Sequence, residues 1–173
     1  MDLIRFDYSV PLEQTMGFEA VYHDNLKLDI SEKTEIRDTR GSIFVWMVVN
    51  GALAGESYGV PLAESDEQFE GLTDVPEDEK KASIYCYSNT ILPAFQKKGL
   101  GTILKAHWLG LAAGKGFTFV YGHARPGASQ ALNVKFGAQL LETFCNWSDT
   151  GEDYRLYRHK LQHLGKAEIS NLE

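Results

Sequence analysis

Gln96-Lys97-Lys98-Gly99-Leu100-Gly101 constrains this chain more than any other stretch. It lies between a β-like run, Ile84 to Leu92, closed by Pro93, and a helix-like run, Thr102 to Ala113. A strand, a turn carrying Gly-x-Gly, then a helix is a way to bind a phosphate. Glycines let the backbone approach an anion closely. The unpaired N–H groups of the first helical turn then point at it, aided by the positive end of the helix dipole. Lys97 and Lys98 add charge. The residues themselves therefore propose a diphosphate-bearing ligand.

Two nucleotide motifs fail. A P-loop needs four residues between Gly and Gly-Lys, then Ser or Thr. Gly110 to Gly116 has three and ends in Gly. The dinucleotide fingerprint needs a third glycine in register within an early βαβ unit. None follows Gly101, and the stretch lies past the middle of the chain.

Gln-x-x-Gly-x-Gly at a strand end is the acetyl-coenzyme A loop of the GNAT superfamily of N-acetyltransferases, which this sequence resembles. Asn89-Thr90-Ile91-Leu92-Pro93-Ala94-Phe95-Gln96 looks like that family's strand, and the match runs through residues 84 to 137. The resemblance implies an α/β (α+β) fold: a mixed, mostly antiparallel sheet of about seven strands with a splayed central parallel pair, flanked by helices. It implies acetyl-coenzyme A as cosubstrate and no metal. The Ile91 N–H would face the thioester carbonyl, with Ile91 and Leu92 backbone holding the pantetheine arm. Backbone of Gln96, Lys97, Lys98, Gly99, Leu100, Gly101 and Thr102 would hold the diphosphate. Arg125 either pairs with a phosphate or forms a surface ion pair.

One departure matters. The family commonly carries Leu-Tyr-x-Lys-x-Gly-Phe, whose Tyr protonates the leaving thiolate. This chain reads Leu132-Asn133-Val134-Lys135-Phe136-Gly137-Ala138, so Asn133 stands at the Tyr position. An amide donates a hydrogen bond to sulfur but transfers no proton. Asn133 thus implies a slower enzyme, a displaced acid or an inert binder. His123 is one displaced candidate; a polar strand-end residue is the alternative. Glu56 is the first choice of general base, against an ordinary outward-facing strand residue. Tyr85 and Tyr87 share one strand face and Cys86 and Ser88 the other, by alternation. Trp147, Tyr154 and Tyr157 read as core.

The remaining chain suits a single domain over 1–161 and a polar tail over 162–173. Leu3–Tyr8 alternates like a strand. Leu12, Met16 and Ala20 recur at helical spacing, predicting mostly helix over 11–28, and Ser31 reads as the N-cap of a second helix. Asn50-Gly51 between Ser42–Val49 and Ala52–Val60 is a type I′ hairpin signal. Leu100, Leu104, His107 and Leu111 form the apolar stripe of the next helix. Phe117–His123 should pair in parallel with Ile84–Leu92. Ser129–Phe136 reads as a short helix, and Gln139–Trp147 with Tyr154–Leu161 as a final hairpin.

Net charge of −7 argues against nucleic-acid binding. No apolar run reaches the ~20 residues of a membrane span, and no signal-peptide core is present. With only Cys86 and Cys145, both in β-like runs, the chain reads as a cytoplasmic protein with two reduced core cysteines. Acidic residues concentrate between Glu64 and Glu79, either as a solvated loop or as a rim attracting a cationic amine. The leading function is N-acetyl transfer from acetyl-coenzyme A to a primary amine in a ternary complex, with a small cationic acceptor. A non-catalytic acyl-coenzyme A-binding module and a transferase of longer acyl groups are the alternatives. A homodimer is compatible with either.

Overall fold

The Asn50-Gly51 hairpin turns as its chemistry requires. Both residues have positive φ, +51° and +86°, and Val49 pairs with Ala52 across the turn. A computed structural model describes residues 2–161; the polar tail over 162–173 lies outside the described residues. The sheet has seven strands in the order β1-β2-β3-β4-β5-β7-β6. These are β1 (Ile4–Asp7), β2 (Ile43–Val49), β3 (Ala52–Pro61), β4 (Ser83–Ile91), β5 (Phe119–Ala124), β6 (Gln139–Phe144) and β7 (Tyr154–Lys160). All neighbours run antiparallel except β4 and β5. This is the mixed sheet with one central parallel pair that the sequence implies.

Helix α1 (Ile30–Asp38), the short α2 (Glu77–Lys81), α3 (Leu100–Gly114) and α4 (Ala128–Lys135) flank it. Helix α3 packs Leu100, Leu104, Trp108 and Ala112 against Val45, Met47, Ile84, Cys86 and Val120 on one face. That stripe is rotated from the expected one. His107 instead stacks on Phe6 of β1 and bonds the Tyr8 hydroxyl at 2.7 Å. Close approach of α3 depends on Gly59. A Cβ there would collide with the Tyr85 carbonyl and sit 2.8 Å from the Trp108 ring.

The other face is covered by α1, the N-terminal segment and residues Phe69 and Leu72. The expected helix over 11–28 is instead three 3₁₀ turns, Leu12–Gln14, Met16–Val21 and Asp24–Leu26. Leu12, Thr15 and Phe18 are buried at a spacing of three, with Glu19 buried beside them, while Ala20 is exposed. That spacing of three is the 3₁₀ period. Thr15 Oγ1 also bonds back to the Leu12 carbonyl, which competes with helix continuation. The N-cap of α1 is Asp29, not Ser31. The Asp29 side chain accepts from Glu32 N–H while Glu32 accepts from Asp29 N–H, a reciprocal capping box.

The acidic stretch is partly structural. Glu64 pairs with Arg40. Glu79 bonds the Tyr121 hydroxyl and pairs with Arg158 at 3.0 Å. Of the cysteines, Cys86 is buried as expected, but Cys145 is exposed just beyond the edge strand β6. An edge strand has one neighbour, and β6 is exposed along most of its length.

Candidate functional site

Strands β4 and β5 pair only over Ser83–Tyr85 and Phe119–Tyr121. Beyond that, β4 stays with β3 to Ile91 and β5 stays with β7 to Ala124. The two therefore part, and a cleft of about 660 Å³ opens between them. A register shift between Tyr58 and Gly59 sets β4 bulging where it opposes them. The bulge changes which residues face which way. Ser88 does not join Cys86 on the α3 face, as simple alternation predicts. Ser88 and Thr90 hydroxyls turn to the opposite face, where Tyr22 Oη lies 2.7 Å from each.

The bared edge of β4 offers backbone donors. Leu92 N–H is donated to the Ala54 carbonyl of β3 at 2.9 Å. Successive strand residues turn their N–H groups to opposite edges, so those of Ile91 and Asn89 face the cleft. Leu92 itself has no N–H left for a ligand. Gln96 Nε2 donates to the Ile91 carbonyl at 2.9 Å and ties the loop to the strand.

The loop folds as its glycines suggest. Lys97 has φ +61° and Gly99, the N-cap of α3, φ +76°. No side chain caps the helix. Among the described residues no carbonyl accepts from the N–H groups of residues 97 to 101. Thr102 N–H bonds the Gly99 carbonyl at 3.1 Å. Leu100 is buried beneath the loop and contributes backbone alone. Lys98 lies over the Phe95 ring. Lys135 of α4, which sequence reasoning missed, reaches Thr102 Oγ1 at 3.3 Å and adds another cation. Unpartnered donors, lysines and a helix N-terminus make an anion cradle. The cradle fits a diphosphate.

Arg125 lines the cleft, but its guanidinium is held elsewhere. It donates to the Val21 carbonyl at 3.2 Å and sits 4.0 Å from Glu152. Glu56 lies away from the cleft. It is fully buried, accepting from Lys33 Nζ at 2.8 Å and Trp46 Nε1 at 2.7 Å. Lys33 also reaches Glu19 at 3.1 Å. Burial pushes the Glu56 carboxyl up, and Lys33 opposes that. Both its oxygens are engaged and it is not among the cleft-lining residues, so the structure places Glu56 as a buried ion-pair partner rather than as a free base. The outward-facing alternative fails too.

Asn133 lines the cleft from α4 and is fixed at both ends of its amide. Its Nδ2 donates to the Ser129 carbonyl at 3.0 Å, and its Oδ1 lies 2.9 Å from His159 Nε2 of β7. Burial, then the charge of Lys105, lowers His159 to about 3. His159 is therefore neutral, with Nε2–H donated to Asn133. His123, the candidate displaced acid, bonds Tyr85 Oη through Nδ1 at 2.7 Å and stacks on Trp147. Burial lowers it to about 4, so at neutral pH it is the uncharged imidazole, a very weak acid. Trp147 is half-buried in that stack, Tyr157 is core as expected, and Tyr154 is buried but also borders the cleft.

Tyr22, Asn89, Lys105 and His159 also line the cleft and were not foreseen. They come from four separate elements with no shared local motif. Only Lys105 carries a signal in sequence, as a charged residue beside Leu104 in the apolar part of α3.

No protein-family model and no curated protein matches this chain. Solved structures do. The ribosomal-protein-S18-alanine N-acetyltransferase of Escherichia coli superposes with a TM-score of 0.66 at 18% identity, over 96% of this chain and 97% of its own. The yncA protein of Salmonella typhimurium, solved with its cofactor acetyl-CoA, gives 0.69 at 17% over 94% and 96%. A GNAT-like decarboxylase, GphF, in complex with isobutyryl-CoA gives 0.68 at 17% over 91% and 100%. The chain therefore has the GNAT fold. Because a decarboxylase shares that fold, the activity must be argued from the site.

Proposed function

We propose that this protein is an acyl-coenzyme A-dependent N-acyltransferase that moves an acetyl group to a primary amine by direct attack in a ternary complex. The observation that carries this reading is the bared edge of β4 leading into the anion cradle at residues 97 to 101. Together they suit a pantetheine arm at one end and its diphosphate at the other. The N–H of Ile91 is the donor for the oxyanion that forms at the thioester carbonyl, and that of Asn89, one pleat further along the same edge, is free for the pantetheine arm. One such donor is worth about 2.7–4 kcal/mol in other enzymes.

The acceptor would enter from the face bearing Tyr22, Ser88 and Thr90. Their linked hydroxyls offer a path for the proton an amine must lose. Tyr87 borders the cleft there, and its hydroxyl bonds Glu67 of the acidic segment. An anionic group at that margin favours a small cationic amine. No helix of the described residues is long and apolar enough to cross a membrane.

A second reading, a non-catalytic acyl-coenzyme A-binding module, rests on Asn133, whose amide cannot protonate a thiolate. The two separate in one experiment. Coenzyme A is titrated calorimetrically, and free thiol release from acetyl-coenzyme A is followed across a panel of amines. Binding with amine-dependent release is the expected result. Binding without release for any amine would favour the module, and no binding would reject both.

A further inference from the structure

Two lysines are buried among the described residues, and they differ in kind. Lys33 is held between the carboxylates of Glu19 and Glu56. Lys105 is 5% exposed and lines the cleft; among the described residues no ion pair holds its ammonium, which opens onto the cleft. A cation so largely enclosed by protein, yet open to the cleft and unpaired, suits an anion that arrives with a ligand.

The surroundings say where that anion would be. Lys105 lies on α3 one turn beyond the Gly-x-Gly loop, on the face that packs against Cys86 of β4 and Val120 of β5. His159 is paired with Val120 in register and so borders the same corner from β7. The Lys105 charge acts on both the Cys86 thiol and His159, lowering each. His159 in turn holds Asn133 of α4. The titratable groups facing Lys105 are thus Cys86 from β4 and His159 from β7. Helix α4 adds Asn133 and, at the loop, Lys135. None is an anion at neutral pH: burial raises the Cys86 thiol and lowers His159. The corner is net positive and lies toward the closed end of the cleft, where β4 and β5 still pair, one helical turn from the loop.

We infer that Lys105 is the counter-cation for the coenzyme A thiolate, supplying the charge stabilisation that Asn133 cannot. This rests on the acyl-coenzyme A reading of the cleft. In the transfer, the amine nitrogen bonds the thioester carbon, the carbon–sulfur bond breaks, and its electron pair stays on sulfur beside the Lys105 ammonium. The proton lost by the amine leaves to solvent, and the thiolate is reprotonated after release.

The test needs no acceptor amine. Coenzyme A is bound to the wild-type protein, and the thiolate absorbance of the bound cofactor is followed against pH, beside Lys105→Met and Lys105→Arg. An opposite charge within a few ångströms lowers a pKa by ~1–3 units. The bound thiol should therefore titrate at least about one unit below its free value of ~8.5. Lys105→Met should bind coenzyme A but lose the shift, and Lys105→Arg should keep part of it. Bound coenzyme A with an unshifted thiol would overturn this role while leaving the cleft assignment intact. No coenzyme A binding by the wild type would instead overturn the cleft assignment. Calorimetry with succinyl-coenzyme A supplies the other arm. Selective tight binding that depends on Lys105, with no thiol shift, would assign the ammonium to an acyl carboxylate and overturn the thiolate role.

Discussion

Lys33→Met tests the reading of Glu56 as a buried ion-pair partner. Lys33 is fully buried and donates to Glu56 at 2.8 Å and to Glu19 at 3.1 Å. Removing it leaves two buried carboxylates without their cation. Breaking one buried pair costs about 3–5 kcal/mol, and two partners lose here, so the upper half of that range applies at pH 7. For a chain of this size each kcal/mol moves the melting temperature by ~2–4 °C, giving a fall of roughly 8–20 °C. The pH dependence identifies the cause. Glu56 already has its folded pKa raised. A raised folded pKa means the folded state binds more protons than the unfolded one. Its stabilising contribution is complete below the unfolded value and lost as pH rises through the folded one. Without Lys33 the folded pKa rises further, so acid should rescue the variant. Melting curves by circular dichroism at pH 7 and pH 5 should show the gap to wild type narrowing at pH 5. A fall under about 3 °C, or a gap indifferent to pH, would refute the reasoning.

Two further outcomes follow from the packing. Gly59→Val should fail to fold, because even a Cβ collides with the Tyr85 carbonyl and the Trp108 ring; soluble, cooperatively melting protein would contradict the α3 packing. His159 and His123 are held neutral, at about 3 and about 4. Their folded pKa values lie below the unfolded ~6.5, so the unfolded state takes up protons first and stability falls as pH drops from ~6.5 toward ~4. His159→Gln should flatten that acid limb in denaturant titrations, and an unchanged limb would show that His159 is charged in the folded protein.

The strand–loop–helix unit was legible because its signals are local. Gly99 needs positive φ, Asn50-Gly51 sets a turn, and alternation marks the flanking strands. The rest depends on contacts between distant residues. Glu56 reads as a candidate base or an outward-facing strand residue until Lys33, 23 positions earlier, is folded against it. The bulge at β4 is invisible because it arises from pairing with β3, and it moves Ser88 to the other face. Thr15 and Phe18 bury at a spacing of three because the N-terminal segment wraps a sheet face, which propensity alone does not report. Lys105 lies in an apolar part of α3, and only the splay of β4 from β5 turns it into a cleft residue.

The central claim is that residues 97 to 101 cradle the diphosphate of coenzyme A, and calorimetric titration tests it most directly. Gly101→Glu is the sharper variant. A Cβ there meets only Ile91 at 3.7 Å, an ordinary contact, so the helix should survive while a carboxylate faces the anion site. The account predicts saturable binding of coenzyme A by the wild type and its loss in Gly101→Glu, with melting temperature kept. Binding undiminished in that variant, or absent from the wild type, would contradict it.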